Sequence, residues 1–503
     1  MALCAIIYLP SLAWALGLDQ NIFAEIGALL LRGKTLYVDA WDVKPPNVFY
    51  LYALFEWLFG PHDFAVRVSD YIFTLFACAA VFGAAERQWL PADRGHEWIG
   101  PLAAVLLALT LLSLGLADTA QTESYSLLFI IEAGVLLSGP ARTHAWRFFF
   151  GGALLSIAAF FKTTNAIFLL PLALEIVFVN RKASLRPIFI SIAGFAAWSM
   201  LQCGVLAIQG SLEAYFQIAM SVFEHHPNEV SQLQISDLPR AVWTYVDLWS
   251  ILALGAIACS LLRRDDVFLR SIRLPLLLLA AGIAAVILQN KGWGYQYVVL
   301  LPGLIPLCAL AASYLYRMLR ARSRALAMVL ASVAVIATLF ATPSARRRIR
   351  YTSDALVSIQ NHSRYLASLG SQKSLYYPPC TDSLASYIAE HTAPGEEVFI
   401  LGEEPGAYWR AERLPATRFV YTLLFTSGVI SSDDIRAMCD TLARKKPPMI
   451  LVERYDTTWF RGRPETSESL LMTDAQLMPL KILLATEYVE SDLVCEKFVV
   501  YRR

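Results

Sequence analysis

Between Asp19 and Arg67 the chain concentrates residues that could serve a phosphate and a hydroxyl in one place. Asp19-Gln20-Asn21 follows a first apolar segment directly, and Arg32-Gly33-Lys34, Asp39, Asp42 and Lys44-Pro45-Pro46 come after it. Arg67 stands at the foot of the next long apolar segment. Ionisable groups this dense beside an apolar span are costly to keep there and mark a site. A carboxylate can take the proton of a hydroxyl nucleophile, and fixed cations can stabilise a departing phosphate.

Asp19 opens an amphipathic run (Ile22, Phe23, Ile26, Leu29, Leu30), so it reads as a helix N-cap and, compatibly, as a catalytic base or acceptor-orienting carboxylate at the membrane face. Lys44 precedes two prolines that stiffen the entry to an apolar, aromatic helix from Val48 to Phe59. Such a helix suits the bilayer interface, where the lysine would either meet a lipid phosphate or simply snorkel to headgroups. Arg67 offers a guanidinium suited to bidentate phosphate contact. Lys162, in Phe161-Lys162-Thr163-Thr164-Asn165, supplies a third cation at the end of a helical hairpin.

Glu123, in Asp118-Thr119-Ala120-Gln121-Thr122-Glu123, is a second carboxylate at a helix end that could bind sugar hydroxyls, hold a metal or support Asp19 in catalysis; the alternative is a dipole-favoured end group. Asp42, Gln121, Lys291 and Tyr295 are candidate substrate-binding residues, although Lys291 with Trp293, Tyr295 and Tyr297 also fits an aromatic belt. Glu224-His225-His226 is a weak metal candidate, because adjacent histidines point different ways. A divalent metal could share the phosphate role, and no ligand set is clear enough to assert one.

The elements that must position these groups follow from composition. The 503 residues are 57% hydrophobic and 17% charged, with mean hydropathy +0.50. A soluble chain is nearer 45–50% apolar and about 25% charged. The net charge of +1, with basic residues spread over short loops, gives no argument for nucleic acid. Apolar stretches predict eleven spans, near 2–17, 64–85, 98–116, 123–138, 146–161, 164–179, 187–208, 241–262, 273–289, 296–316 and 324–342. The first is short, as in a chain that begins mid-helix. A cleaved signal peptide is the rival reading, and no basic residues precede the apolar run.

Arg87 and Arg94, Arg142 and Arg147, Arg181, Lys182 and Arg186, Arg263 to Arg273, and Arg317 to Arg324 fall in alternate loops. The positive-inside rule makes these loops cytoplasmic and gathers the candidate site residues on the outer side. Arg346-Arg347-Arg348 and Arg350 disagree with that rule, because they follow the last span and would lie outside.

Beyond residue 342 the pattern changes. Val398–Leu401 and Met449–Val452 read as strands, and Ser383–His391 and Asp433–Arg444 as helices. Residues 1–342 are thus expected to form a membrane domain, and 343–503 a small α/β domain with a mostly parallel sheet. This tail reads as a folded appendage rather than a source of chemistry. Five cysteines lie in apolar segments; Cys380, Cys439 and Cys495 lie in the tail, where a disulfide cannot be paired from sequence.

The order Asp19 to Glu25, Lys44-Pro45-Pro46, Arg67, Glu123, Lys162 and a tyrosine-rich edge resembles the GT-C membrane glycosyltransferases. The nearest kin are protein O-mannosyltransferase-like and aminoarabinose-transferase-like bacterial enzymes. The resemblance implies a polytopic α-helical membrane enzyme with about eleven spans, two juxtamembrane helices (Ile22–Leu31 and Pro46–Phe59) and a C-terminal α/β domain. It implies a polyprenyl-phosphate sugar donor used on the outer face of a bacterial inner membrane. The family's first acid falls on Asp19, its phosphate-facing lysine on Lys44, its second acid on Glu123 and its helix-end lysine on Lys162. Gln20 and Glu123 depart from the commoner residues, which leaves the acceptor class open.

The chemistry fits these residues. A sugar on a polyprenyl phosphate already carries a good leaving group, so the acceptor hydroxyl needs the base and the phosphate needs cations. A single displacement would invert the anomeric centre. The expected activity is therefore hexosyl or pentosyl transfer to an envelope lipid, glycan or protein. A non-catalytic membrane scaffold is the alternative, and a transporter a weaker one, since no matched pair of broken-helix halves appears.

Overall fold

The computed structural model describes residues 1–87, 98–138, 144–179, 185–225, 236–371, 376–425, 429–454, 468, 471 and 474–503. Arg94, Arg142, Arg181, Lys182 and His226 lie outside the described residues, as does the side chain of Arg87. Each of the eleven apolar stretches falls on helix over most of its length. Six helices among the described residues are long and apolar enough to cross a membrane: Asp63–Ala84, Arg186–Ile208, Asp237–Arg263, Asp266–Gln289, Gly294–Arg322 and Arg324–Ala341. Ala2–Ala13 and Leu18–Leu31 are long and apolar enough only when taken together across the break between them. Ile99–Leu112, at 14 residues, reaches only about 21 Å against a hydrocarbon core of roughly 30 Å, so length alone does not make it a span.

Packing divides the chain into two compact units, and the division does not follow the composition break near residue 342. The first comprises Met1–Leu12, Asp70–Gln202 and Leu233–Ala355. Its helices approach closely where side chains vanish. A Cβ on Gly152 would sit 1.8 Å from the Ser191 carbonyl oxygen, and one on Gly194 1.9 Å from that of Phe149. These reciprocal contacts join Ala145–Phe161 to Arg186–Ile208, as small residues do between helices in lipid. Only 11% of the apolar window of each of Arg186–Ile208 and Arg324–Ala341 is buried within the protein, which suits acyl chains rather than water.

In the same unit, Asp237–Arg263 breaks at Asp247, whose backbone is non-helical (φ 40°, ψ −120°). The Asp247 carboxylate accepts from the Ser344 backbone N–H at 3.1 Å and from its hydroxyl. Arg347 donates to the carbonyls of Ser113, at 3.0 Å, and Thr244. Arg348 donates to the Ser344 hydroxyl, at 2.9 Å, and to the Thr338 carbonyl. Two of the basic residues that disagreed with the positive-inside pattern are therefore spent inside the fold.

The second unit gathers Ala13–Ser69, Cys203–Gln232 and Leu356–Arg503. Helix Leu18–Leu31 packs on Asn47–Phe59 through Gly27, where a Cβ would stand 3.0 Å from the Ala53 nitrogen. The tail forms a five-stranded sheet: β1 (Glu397–Leu401), β2 (Leu414–Pro415), β3 (Met449–Glu453), β4 (Val489–Val494) and β5 (Phe498–Arg502) in the order β2-β1-β3-β5-β4. β1 pairs in parallel with β2 and β3, whereas β5 is antiparallel to both β3 and β4. The sheet is therefore mixed rather than mostly parallel. A tight reversal at Cys495 and Glu496, both at positive φ, turns the last two strands into a hairpin. Helices Pro378–His391 and Ser432–Lys445 are longer than the periodicity predicted.

Candidate functional site

The candidate residues form two groups, one in each unit. In the second unit, Gly17 is the N-cap of Leu18–Leu31 and Asp19 lies in its first turn. Asp19 is therefore not the cap, and the residue is partly exposed. The turn that carries it is held from the tail. Asn21 donates to the Gly17 carbonyl at 2.8 Å and to the Tyr376 hydroxyl at 2.7 Å. Arg410 donates to the Asn21 amide oxygen and to Asp63, both at 2.8 Å, and pairs with Asp382 at 3.0 Å.

Asp42 is buried, and its Oδ1 accepts the Lys44 backbone N–H at 2.7 Å. Tyr421, from the tail, hydrogen-bonds to the same carboxyl. Burial pushes Asp42 up to about 6 from the usual 3.8, and Asp19 adds to the rise, while Lys44 and the two hydrogen bonds oppose it. That mutual influence brings Asp19, Asp42, Lys44 and Tyr421 into one electrostatic neighbourhood. The Lys44 carbonyl accepts from the Tyr37 hydroxyl at 2.9 Å, so the main chain at Lys44 is held on both sides. Trp41 adds a backbone bond to the Arg418 carbonyl at 2.9 Å and packs 5.5 Å from the Phe419 ring.

Arg67 is fully buried. Its Nε donates to the Trp14 carbonyl at 3.3 Å, one terminal nitrogen donates to the Ala15 carbonyl, and the guanidinium lies 5.9 Å from the Trp14 ring centroid. Those carbonyls belong to the non-helical break before Leu18, which the arginine clamps.

In the first unit, Glu123 and Lys162 meet. Lys162 Nζ lies 3.1 Å from Glu123 Oε1, with the glutamate fully buried and the lysine side chain 14% exposed. The Thr122 hydroxyl donates to Glu123 Oε2 at 2.6 Å. Gln121 is the N-cap residue of Thr122–Leu137, and its side-chain amide donates to the Ala117 carbonyl at 3.0 Å, so it organises its own loop. The Tyr295 backbone N–H donates to Asp118 at 3.0 Å, which ties the tyrosine-rich edge to the loop before Glu123. Lys291 is half-buried in the segment preceding the 3-10 helix Gly294–Leu300.

Sequence reasoning missed four positions. Asp70 accepts from the Tyr8 hydroxyl at 2.8 Å and the Ala120 backbone at 3.0 Å, fixing Ala120 at φ 55° three residues before Glu123. A carboxylate inside an apolar span was the available signal. Tyr376, Arg410 and Tyr421 lie hundreds of residues from their partners and carried none. Among the described residues no group of three or more His, Cys, Asp or Glu side chains is placed to hold a metal ion.

Residues 43–210 match the family described as dolichyl-phosphate-mannose-protein mannosyltransferase. The fold is similar to that of ArnT from Cupriavidus metallidurans bound to undecaprenyl phosphate, with TM-score 0.61 at 15% identity, covering 99% of this chain and 96% of that one. The apo state of that protein gives 0.59 at 15% identity, with the same coverage of 99% and 96%. The Archaeoglobus fulgidus oligosaccharyltransferase in its apo form gives 0.54 at 11% identity, covering 90% of this chain and 69% of that one. No curated protein matches the sequence significantly. The resemblance to GT-C enzymes read from spaced residues is thus also a resemblance of fold across nearly the whole chain.

Proposed function

We propose that this chain transfers a sugar from a polyprenyl-phosphate donor to a hydroxyl of an envelope lipid, glycan or protein, on the outer face of a bacterial inner membrane. The carrying observation is the match of residues 43–210, which hold Lys44, Arg67, Glu123 and Lys162, to a family named for a lipid-phosphate sugar donor. A whole-chain fold shared with a protein bound to undecaprenyl phosphate supports the same reading.

In this reading Asp19 takes the acceptor proton as the acceptor oxygen bonds to the anomeric carbon. The bond from that carbon to the phosphate oxygen breaks, and polyprenyl phosphate leaves with the electron pair. A cation, Lys44 or Lys162, is assigned to the phosphate charge. Arg67 serves by clamping the break that presents Asp19, and Glu123 anchors the Lys162 side chain through their 3.1 Å ion pair. One displacement inverts the anomeric centre. Asp42, Gln121, Lys291 and Tyr295 are assigned to substrate placement. In this reading all eleven apolar stretches of the sequence cross the membrane, which puts residues 343–503 on the outer side, where the acceptor is found.

Mass-spectrometric comparison of envelope glycans with and without the gene tests the reading. The expected result is one sugar mass lost in its absence, restored by the parent chain and not by Asp19→Asn. Identical glycan profiles would remove the proposal.

A further inference from the structure

Cys380 and Cys495 lie 115 positions apart in sequence and meet in the tail. Cys380 is fully buried in the first turn of Pro378–His391, and Cys495 sits, partly exposed, in the positive-φ reversal between β4 and β5. Cys495 Sγ lies 3.6 Å from the Cys380 carbonyl oxygen, and the two thiols share a hydrogen bond. Two residues beyond Cys495 is Lys497, fully buried against Glu404 at 3.3 Å and Glu453. A buried charge cluster tolerates displacement of one partner poorly. The reversal that delivers Lys497 is therefore a place where a covalent tether has structural value.

We propose that Cys380 and Cys495 form a disulfide in the mature protein, stapling the final hairpin to helix Pro378–His391. The proposal rests on the outward placement of residues 343–503 given above, because disulfides persist in oxidising compartments. The more exposed Cys495 is the attacking sulfur, and Cys380's hydrogen bond favours its thiolate. The Cys495 thiolate attacks the disulfide of an oxidised dithiol protein or of oxidised glutathione, expelling one thiol and forming a mixed disulfide. Cys380, losing its proton, then attacks the Cys495 sulfur and expels the second thiol. In all, two cysteine thiols lose two electrons and two protons, and one donor disulfide is reduced.

The test uses the full-length protein purified from membranes without reductant. It is denatured in N-ethylmaleimide, then reduced, treated with iodoacetamide and digested. Labels are mapped by peptide, because Cys4 and Cys78 also share a thiol hydrogen bond, and Cys439 in the tail serves as an internal control. The expected result is iodoacetamide label on Cys380 and Cys495 and maleimide on Cys439. An unreduced digest should hold one linked peptide, lighter by two hydrogens than its parts. Maleimide on both Cys380 and Cys495 overturns the proposal. Reductant should lower the parent's unfolding midpoint by several degrees and leave Cys495→Ala unmoved; a parent midpoint indifferent to reductant also overturns it. A periplasm-active reporter fused after Arg503 reads orientation separately. An active reporter with maleimide-labelled cysteines sinks the disulfide and leaves the orientation standing; a silent reporter removes the orientation, whatever the labels show.

Discussion

Lys162 and Glu123 meet from opposite kinds of helix end. Glu123 lies in the first turn of Thr122–Leu137, and Lys162 caps the C-terminal end of Ala145–Phe161. Each charge complements its own helix dipole before it meets the other at 3.1 Å. The pair is thus over-determined, and neither group can be lost quietly. Removing one partner of a buried pair costs on the order of 3–5 kcal/mol, because the survivor stays charged in a poor solvent. Glu123→Gln and Lys162→Met should each lower the unfolding midpoint in detergent, and the double variant should recover part of the loss. Additive losses in the double variant would mean that the two side chains act independently.

Asp19→Asn isolates basicity. Since Gly17 rather than Asp19 caps the helix, the amide should leave the fold untouched. Transfer should fall by roughly 10²–10⁴, the usual cost of a lost general base. Near-parent turnover would shift the base to Glu123.

Asp42 gives the reaction a pH limb with a defined sign. Its folded pKa of about 6 exceeds the ordinary 3.8, so ionising it costs stability as pH rises between those values. Above about 6 the carboxylate is present to hold Lys44; below it, the carboxyl is protonated. Activity should therefore decline as pH drops through about 6, and Asp42→Asn should abolish that limb. Tyr421 lowers the Asp42 pKa by its hydrogen bond, so Tyr421→Phe should move the limb to higher pH. A limb unmoved in Tyr421→Phe would detach the tail from this step.

Lys44→Ala should raise the KM for a polyprenyl-phosphate sugar several-fold, with Lys44→Arg closer to the parent, because charge rather than shape is asked of this position. An unchanged KM in Lys44→Ala would leave the phosphate to Lys162.

Orientation has its own check. A periplasm-active reporter fused after Ser344 should be active and a cytoplasm-active one silent. The reverse pattern would require an even number of spans.

The candidate site residues stood out in the sequence because they violate the expectations of a membrane chain. Asp19, Lys44, Glu123 and Lys162 each place a charge beside apolar helix, and a charge there has to be explained. Arg67 shows where sequence stops: a guanidinium suits phosphate, but it also suits bare carbonyls at a helix break such as those of Trp14 and Ala15, and sequence does not distinguish the two. Tyr421 and Arg410 were invisible, since nothing local marks a tail tyrosine as the partner of an aspartate near the start of the chain. The hairpin of β4 and β5 was missed because Val489–Val494 alternates polar residues on an exposed edge.

The second unit is assembled from three stretches of chain, and its first stretch ends at Ser69 while its last begins at Leu356. A ribosome adding about 5–20 residues per second needs on the order of tens of seconds to cross that interval. Throughout it, Asn21, Asp42 and Trp41 have been synthesised but their partners Arg410, Tyr421 and Arg418 have not. Biogenesis must therefore shelter a half-built, partly apolar surface until the last strands arrive. A chain cut after Thr342 would lack the tail partners of Asn21, Asp42 and Trp41 for good.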